Sequence, residues 1–315
     1  MIRGRTMKIF DTLESISGID QTVIAVGNFD GVHKGHQEII NKAITNAEGS
    51  GIKSAVFTFS NHPRNVISGE KVLNIMYPED KITAFEKMGV DYLFVIPFTK
   101  EISMMSPDEY VDELLIKTFR MRQVCCGFNY KFGHRAAGDT KMLMEMSLEK
   151  GFGIHVIEPF RIDGQIVSST LIREAILEGD MKTANKYLGR NYSIEGEVVV
   201  GNKLGRTIGF PTSNLIIDSN MVTPPSGVYI TYSDYEGVRY PSITNVGFRP
   251  TIGEFDKNVE THIFDFDKIL YGKNIKVEFV RMIRPEKKFD DIEKLKQQIT
   301  KDCIEAKAIH RSLSV

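Results

Sequence analysis

Short apolar runs separated by amphipathic stretches mark the first 190 residues. Thr22–Val26, Ser54–Phe59, Tyr92–Ile96, Gln123–Cys126 and Gly153–Ile157 read as buried strands of four to six residues. After the first run, Ile39, Ile40, Ala43, Ile44 and Ala47 recur at helical spacing, and Gly49 and Gly51 end the pattern. Strand and helix alternating in this way predict an α/β domain. It would be a doubly wound, Rossmann-like parallel sheet with helices on both faces and ligands at the carboxyl ends of its strands. Near residue 190 the pattern changes. Glu197–Val200, Val228–Thr231, Val259–Phe264 and Ile275–Val280 alternate or are β-branched and are separated by turn clusters, which predicts a small antiparallel barrel. A closing helix places Ile292, Leu295, Ile299, Cys303 and Ala306 on one face, with Asp290-Asp-Ile-Glu293 resembling a capping box. The expected layout is a disordered extension over 1–6, one domain over 7–188 and a second over 189–315.

Composition adds bounds rather than detail. The 315 residues suit two domains, and 42% hydrophobic with 26% charged residues is a folded, globular balance. Forty basic against forty-one acidic residues leave a charge of −1, and the balance hides no asymmetry. Residues 1–190 carry 23 basic and 24 acidic groups, and 191–315 carry 17 of each. Gripping a nucleic-acid backbone requires a basic face, so nucleic acid is disfavoured as the main partner. Cys125, Cys126 and Cys303 have no metal-ligand spacing and fit a reducing cytoplasm. No apolar run approaches the roughly 20 residues of a membrane span, and the N-terminus lacks the apolar stretch of a secretory signal.

Candidate chemistry concentrates at two predicted helix starts. Val26-Gly-Asn28-Phe-Asp-Gly-Val-His33-Lys-Gly35-His36 leaves the first strand and opens the first helix. Ordinary helices favour acidic residues in the first turn. This one offers His33, Lys34 and His36, with Gly35 leaving the backbone open for close approach. Free amides and cationic donors at a helix N-terminus form a polyphosphate cradle; the bland alternative is one satisfied core histidine and one solvated one. The second start, Val167-Ser-Ser169-Thr170-Leu-Ile-Arg173, sets an arginine in the first turn, where it opposes the dipole unless an anion intervenes. Ser169 and Thr170 read as hydroxyl donors and Arg173 as a charge clamp for β- and γ-phosphates, against a capped surface helix with an incidental arginine.

Together these segments resemble the nucleotidyltransferase superfamily with the His-x-Gly-His signature, and residues 22–190 resemble the FMN adenylyltransferase module of bacterial FAD synthetases. Gly127-Phe-Asn129-Tyr-Lys-Phe132-Gly extends the match. That family places there an asparagine and an aromatic that help bind nucleotide and flavin; Tyr130 replaces its usual phenylalanine. The resemblance implies that FMN phosphate attacks the α-phosphorus of ATP, with pyrophosphate leaving and Mg2+ required. His33 and His36 would stabilise the transition state, Asn28 hold phosphates and Arg173 restrain pyrophosphate.

The second domain opens with Gly201-Asn-Lys-Leu-Gly205-Arg-Thr-Ile-Gly209-Phe-Pro-Thr212-Ser-Asn214, glycine-rich but without the Gly-Lys-Ser/Thr ending of a phosphate-binding P-loop. Thr212 and Asn214, two apart on an extended chain, point the same way and offer neutral oxygens suited to Mg2+. A plain glycine turn is the alternative. Glu260, inside the strand-like Val259-Glu-Thr-His262, is a candidate general base, or else an exposed-face glutamate; His262 reads as structural. Asn245-Val-Gly-Phe-Arg-Pro-Thr251 reads as a Gly/Pro-punctuated loop. From the Gly-Phe-Pro-Thr-x-Asn segment through Leu270-Tyr-Gly272 and Lys288-Phe289 to the closing helix, the domain resembles riboflavin kinase. This implies a Greek-key barrel with a terminal helix, Mg2+ on Thr212 and Asn214, and Glu260 activating the ribityl hydroxyl.

The combined expectation is a bifunctional enzyme that makes FMN from riboflavin and ATP, then FAD from FMN and a second ATP. Two rival readings fit less well. A class I aminoacyl-tRNA synthetase fragment lacks a Lys-Met-Ser-Lys-Ser segment and a basic anticodon domain. A catalytically silent flavin carrier on the same scaffold predicts decay of phosphate-handling groups that are all present.

Overall fold

The computed structural model describes residues 6–201, 205, 208–250 and 255–313. Most of the expected 1–6 extension, parts of the 201–214 glycine loop and Thr251 lie outside the described residues. The chain divides into two compact units, Met1–Ser168 and Ser169–Val315.

In the first unit, β1 (Lys8–Phe10), β2 (Thr22–Val26), β3 (Lys53–Phe59), β4 (Tyr92–Ile96), β5 (Met121–Gly127) and β6 (Gly153–Ile157) form one parallel sheet in the order β1-β4-β3-β2-β5-β6. Its strands alternate between two apolar layers. Ile24 and Val26 pack in one with Val111, Leu114, Leu115 and Leu143. Val23 and Ala25 pack in the other with Ile40, Ala43 and Ala47 of α1 (Lys34–Ser50) and Phe85 of α2 (Pro78–Met88). Burial on both faces is why the central strands β2 and β4 read as continuous apolar runs. Each fully buried aliphatic side chain contributes about 1.5–3 kcal/mol. Helix α1 runs through Gly49 and stops at Gly51, whose φ of +66° completes a left-handed cap.

In the second unit, β7 (Tyr192–Val199), β8 (Ser213–Ile217), β9 (Gly227–Tyr235), β10 (Val238–Pro250), β11 (Phe255–Ile263) and β12 (Asn274–Pro285) close an antiparallel barrel in the order β7-β8-β11-β10-β9-β12. Strand β8 pairs with β11 rather than with β9, a Greek-key crossover. The segment expected as a loop at Asn245–Pro250 is instead the end of β10, paired with β11 as far as Pro250↔Phe255. Its prolines are tolerated because pairing is one-sided there: the pairs with β11 begin at Ser242, just past Pro241, and the pairs with β9 end at Val246, before Pro250. Five buried hydroxyls, Thr231, Ser233, Ser242, Thr244 and Thr261, bond to one another across β9, β10 and β11.

Helix α3 (Ser169–Glu178) and α4 (Met181–Leu188) belong to this unit, twenty residues ahead of the expected division at 188/189. The reason is a contact between residues far apart in the chain. Asn185 donates to the Phe279 carbonyl of β12 and accepts from the Tyr192 amide of β7, fastening α4 to the barrel. The closing helix α5 (Ile292–Leu313) is capped by Asp291 rather than Asp290, its carboxylate accepting from Glu293 N and Lys294 N. Cys303 and Ala306 face Val228, Ile230 and Ile243, while Ile292, expected on that face, is exposed. A bidentate pair, Arg284 to Asp302, ties α5 to β12.

Candidate active sites

Strand β2 lies where the sheet order reverses, with β3 on one side and β5 on the other, the place where ligands dock in such sheets. The chain leaves it through a strained turn: Phe29, Gly31 and Val32 have φ of +50°, +81° and +39°. For a β-branched residue such as Val32 this costs on the order of 1–3 kcal/mol, a cost tolerated where function requires the shape. Phe29 anchors the turn; it is 1% exposed and meets the His36 ring edge-on at 5.3 Å.

His33 is the N-cap of α1. Its Nδ1 accepts the His36 backbone N–H at 3.2 Å, and the two imidazoles stack at 3.5 Å between centroids. An accepting Nδ1 carries no proton, so this hydrogen bond assigns His33 as the neutral Nε2–H tautomer. In that tautomer His33 offers Nε2–H as a donor, and the helix dipole and Lys34 add positive character at the tip. Gly35 keeps the stacked pair uncrowded, because a Cβ there would lie 3.3 Å from His33 Cε1 and 3.4 Å from Phe160 Cβ. The first turn contains no acidic residue.

Asn28 directs its carbonyl inward to Thr58 and Lys81. Next door, β5 ends at Gly127, and β2 and β5 are paired up to Ala25↔Cys125, so Asn28 and Asn129 follow neighbouring strand ends. Asn129 is exposed, whereas Phe132 is buried against Tyr110 and Tyr130, whose hydroxyls bond at 2.7 Å. Burial drives both tyrosine pKa values upward. Ser169 and Thr170 open α3 in the second unit. Arg173 is its fifth residue and so begins the second turn rather than lying in the first.

In the barrel, register gathers the second set. Asn214 stands opposite Glu260, and Glu260 opposite Asn245, so three polar side chains share one face across β8, β11 and β10. Asn214 is 4% exposed, and Glu260 accepts from Asn258 Nδ2 at 2.6 Å. Two cavities border Thr212. One of about 380 Å³ is lined by Gly201, Thr212, Asn214, Asp267, Lys268 and Tyr271. The other, of about 270 Å³, has Glu260 and Asn245 at polar positions and Phe210, Val228, Ile243, Phe289 and Ile299 among its walls. Gly205 lines the smaller cavity, a methyl on Gly201 would overlap the Asn214 amide, and Gly209 turns the loop with φ of +91°. His262 lies within hydrogen-bond distance of the Pro211 carbonyl, 2.7 Å away. Burial lowers its pKa.

Thr212 and Asn214 offer neutral oxygens, and among the described residues no group of three or more His, Cys, Asp or Glu side chains is arranged to hold a metal. Such a donor set does not suit a protein-caged transition metal. It fits Mg2+, which keeps waters and shares substrate phosphates.

Comparison with known proteins agrees with this division of chemistry. A family model for FAD synthetase matches residues 16–171, and one for riboflavin kinase matches 188–310. The bifunctional riboflavin kinase/FMN adenylyltransferase of Bacillus subtilis is 36% identical over 291 residues, covering 91% of this chain and 92% of that one. Its Haemophilus influenzae counterpart is 37% identical, covering 92% and 94%. This chain belongs to the bifunctional riboflavin kinase/FMN adenylyltransferase family. A crystal structure described as a macrolide-efflux protein from Streptococcus pneumoniae superposes with a TM-score of 0.87 at 29% identity, covering 96% of this chain and 98% of that one. Among the described residues no helix is long and apolar enough to cross a membrane.

For a member of this family, sequence reading passed over several groups that line or brace the sites. Asp30, 6% exposed, accepts from Ile75 N. Lys81, Thr58, Asn258 and the Arg284–Asp302 pair also escaped notice, and Asn245 read only as part of a loop.

Proposed function

We propose that the second unit phosphorylates riboflavin and that the FMN so formed is adenylylated in a reaction served by the His33/His36 helix tip of the first. The observation that carries the reading is the pairing of two dissimilar phosphate-handling arrangements in one chain: an acid-free, doubly histidine-bearing helix start at a sheet switch point, and the Asn214–Glu260–Asn245 row beside Thr212.

In the kinase reaction the smaller, apolar-walled cavity takes the flavin ring and the larger, more polar one takes ATP, with Thr212 between them. Glu260 accepts the proton of the ribityl 5′-hydroxyl as its oxygen bonds to the γ-phosphorus. The bond from that phosphorus to the β-bridging oxygen breaks, and ADP leaves. Thr212 and Asn214 would hold Mg2+, which when bound neutralises charge developing on the phosphates. Asn258 fixes the Glu260 carboxylate, leaving little reorganisation for the reaction itself.

In the adenylyl transfer, an FMN phosphate oxygen bonds to the α-phosphorus of ATP and the bond to pyrophosphate breaks. A phosphate dianion is already a nucleophile, so no side-chain base is required, and placement with charge stabilisation supplies the rate. His33 Nε2–H and His36 donate to the α-phosphoryl oxygens, and Asn28 and Gly35 form the adjoining wall. Asn129 and Phe132 serve nucleotide and flavin. The family resemblance gives Ser169, Thr170 and Arg173 to the phosphates of the same reaction. The three buried free thiols suit a reducing compartment such as cytoplasm.

The test is incubation of purified chain with riboflavin and Mg-ATP, following flavins by chromatography. FMN should appear first and FAD after it. Flavin that binds but stays riboflavin would favour the silent carrier.

A further inference from the structure

The turn that leads from β2 to the His33 cap holds three positive φ angles within four residues, so something must hold it in shape. Two donors converge on its first carbonyl. Thr58 Oγ1, at the end of β3, donates to Asn28 O at 2.9 Å, and Lys81 Nζ, on α2, donates to the same oxygen at 3.1 Å. Lys81 Nζ also donates to Thr58 Oγ1 at 3.1 Å, closing a ring of three polar atoms that joins the turn, a strand and a helix. Thr58 is 1% exposed. Farther along the same turn, Asp30 attracts the ammonium and accepts the Ile75 amide through both carboxylate oxygens.

An ammonium in this setting is costly. Burial pulls the Lys81 pKa down to about 8, and Asp30 opposes that fall. Packing alone would be served as well by a methionine, since buried charges are poor sources of stability. The cost is understandable if the charge-assisted bond fixes a backbone that must not move. Thr58 alone would leave the Asn28 peptide held by one neutral donor, and charge-assisted bonds are the stronger and more directional kind.

We propose that Lys81 is a positioning residue for adenylyl transfer, its ammonium gripping the Asn28 carbonyl so that the Asn28–Val32 turn presents the His33/His36 tip to ATP. This rests on the assignment of adenylyl transfer to that tip. Lys81 acts through the turn and needs no contact with either substrate. A displacement of the tip by about 1 Å is enough to cost on the order of 100-fold in rate.

The test is steady-state FAD formation from FMN and Mg-ATP by Lys81→Met, with riboflavin phosphorylation by the same preparation as control. The expected result is a fall of about 10- to 100-fold in kcat/KM for ATP. A raised KM for ATP should contribute to it, while the KM for FMN and the kinase rate stay within about twofold, the spread of an unaltered step. A merely structural lysine would reduce the amount of active enzyme and lower kcat without moving the ATP KM. That pattern, or wild-type ATP parameters, overturns the proposal. Should Lys81→Met fail to fold, Thr58→Val, which removes the other donor to the same carbonyl, decides: an ATP-specific loss supports the proposal and wild-type parameters overturn it. A wild-type chain that forms no FAD overturns the assignment of the reaction and this proposal with it. An active wild type beside an equally active Lys81→Met overturns the Lys81 proposal alone.

Discussion

Replacing His33 separates two jobs that one imidazole performs. Through Nδ1 it caps α1, accepting the His36 N–H at 3.2 Å; through Nε2–H it offers a donor to phosphate. In His33→Ala the cap is lost, worth about 1 kcal/mol, with a range of roughly 0.5–2. The ring is 4% exposed and stacked on His36, so its removal also leaves an unfilled space. A combined loss of about 1–3 kcal/mol lowers the melting temperature of a unit this size by roughly 2–4 °C per kcal/mol. FAD formation falls by about 10²–10³, the scale for removing one preorganised donor. His33→Asn is the discriminating variant. Asparagine caps helices as well as any residue, so the cap's share of the loss, about 1 kcal/mol, returns while the space left by the ring remains unfilled. Its carboxamide is too short to place a donor where Nε2–H stood, so FAD formation stays low. Calorimetry and chromatographic FAD assays on both variants separate the effects. Recovery of adenylylation together with stability in His33→Asn would reduce His33 to a helix cap and refute its role at phosphate.

Three further outcomes follow from the geometry. Glu260→Gln keeps the Asn258 contact but cannot take a proton, so riboflavin phosphorylation should fall by about 10²–10⁴ while FAD formation from supplied FMN is unchanged; both are read by product chromatography. Arg284→Met leaves Asp302, 4% exposed, without its bidentate partner, and denaturant unfolding should show the second unit losing about 3–5 kcal/mol. Lys81 gives a pH dependence whose sign is set by burial. Its folded pKa of about 8 lies below the ordinary 10.5, so the charged form is penalised on folding; the penalty is complete below pH 8 and fades as pH rises toward 10.5. Wild type should gain up to about 3 kcal/mol relative to Lys81→Met across that interval, measured by urea unfolding at pH 7, 8.5 and 10. A constant difference between the two would contradict the buried charge.

Much of this architecture is legible in the chain because burial on both faces leaves unbroken apolar runs: β2 and β4 match the expected strands residue for residue, and the bounds of β6 match too, although that edge strand is half-buried rather than buried. Strand β1 escaped because three half-exposed or exposed residues carry no pattern; it exists by pairing with β4. The end of β10 was hidden by Gly247 and Pro250, punctuation that ordinarily marks loops but is harmless where pairing is one-sided. The affiliation of α3 and α4 with the barrel depends on Asn185 reaching a strand 94 residues away, which no local signal reveals. The candidate site residues were visible as violations of local preference, as with histidines where a helix start favours acids. Their supports, Lys81 beneath Asn28 and Asn258 beside Glu260, become visible only once strands are in register.

The central claim is that one chain carries two separable phosphate-transfer sites, and a mixing experiment tests it most directly. Glu260→Gln should lack the first step and His36→Ala the second, so neither alone converts riboflavin to FAD. Combined with riboflavin and Mg-ATP, the two variants should restore FAD, because FMN released by the His36→Ala chain is adenylylated by the Glu260→Gln chain. A mixture that accumulates FMN without FAD, or leaves riboflavin untouched, would contradict the account.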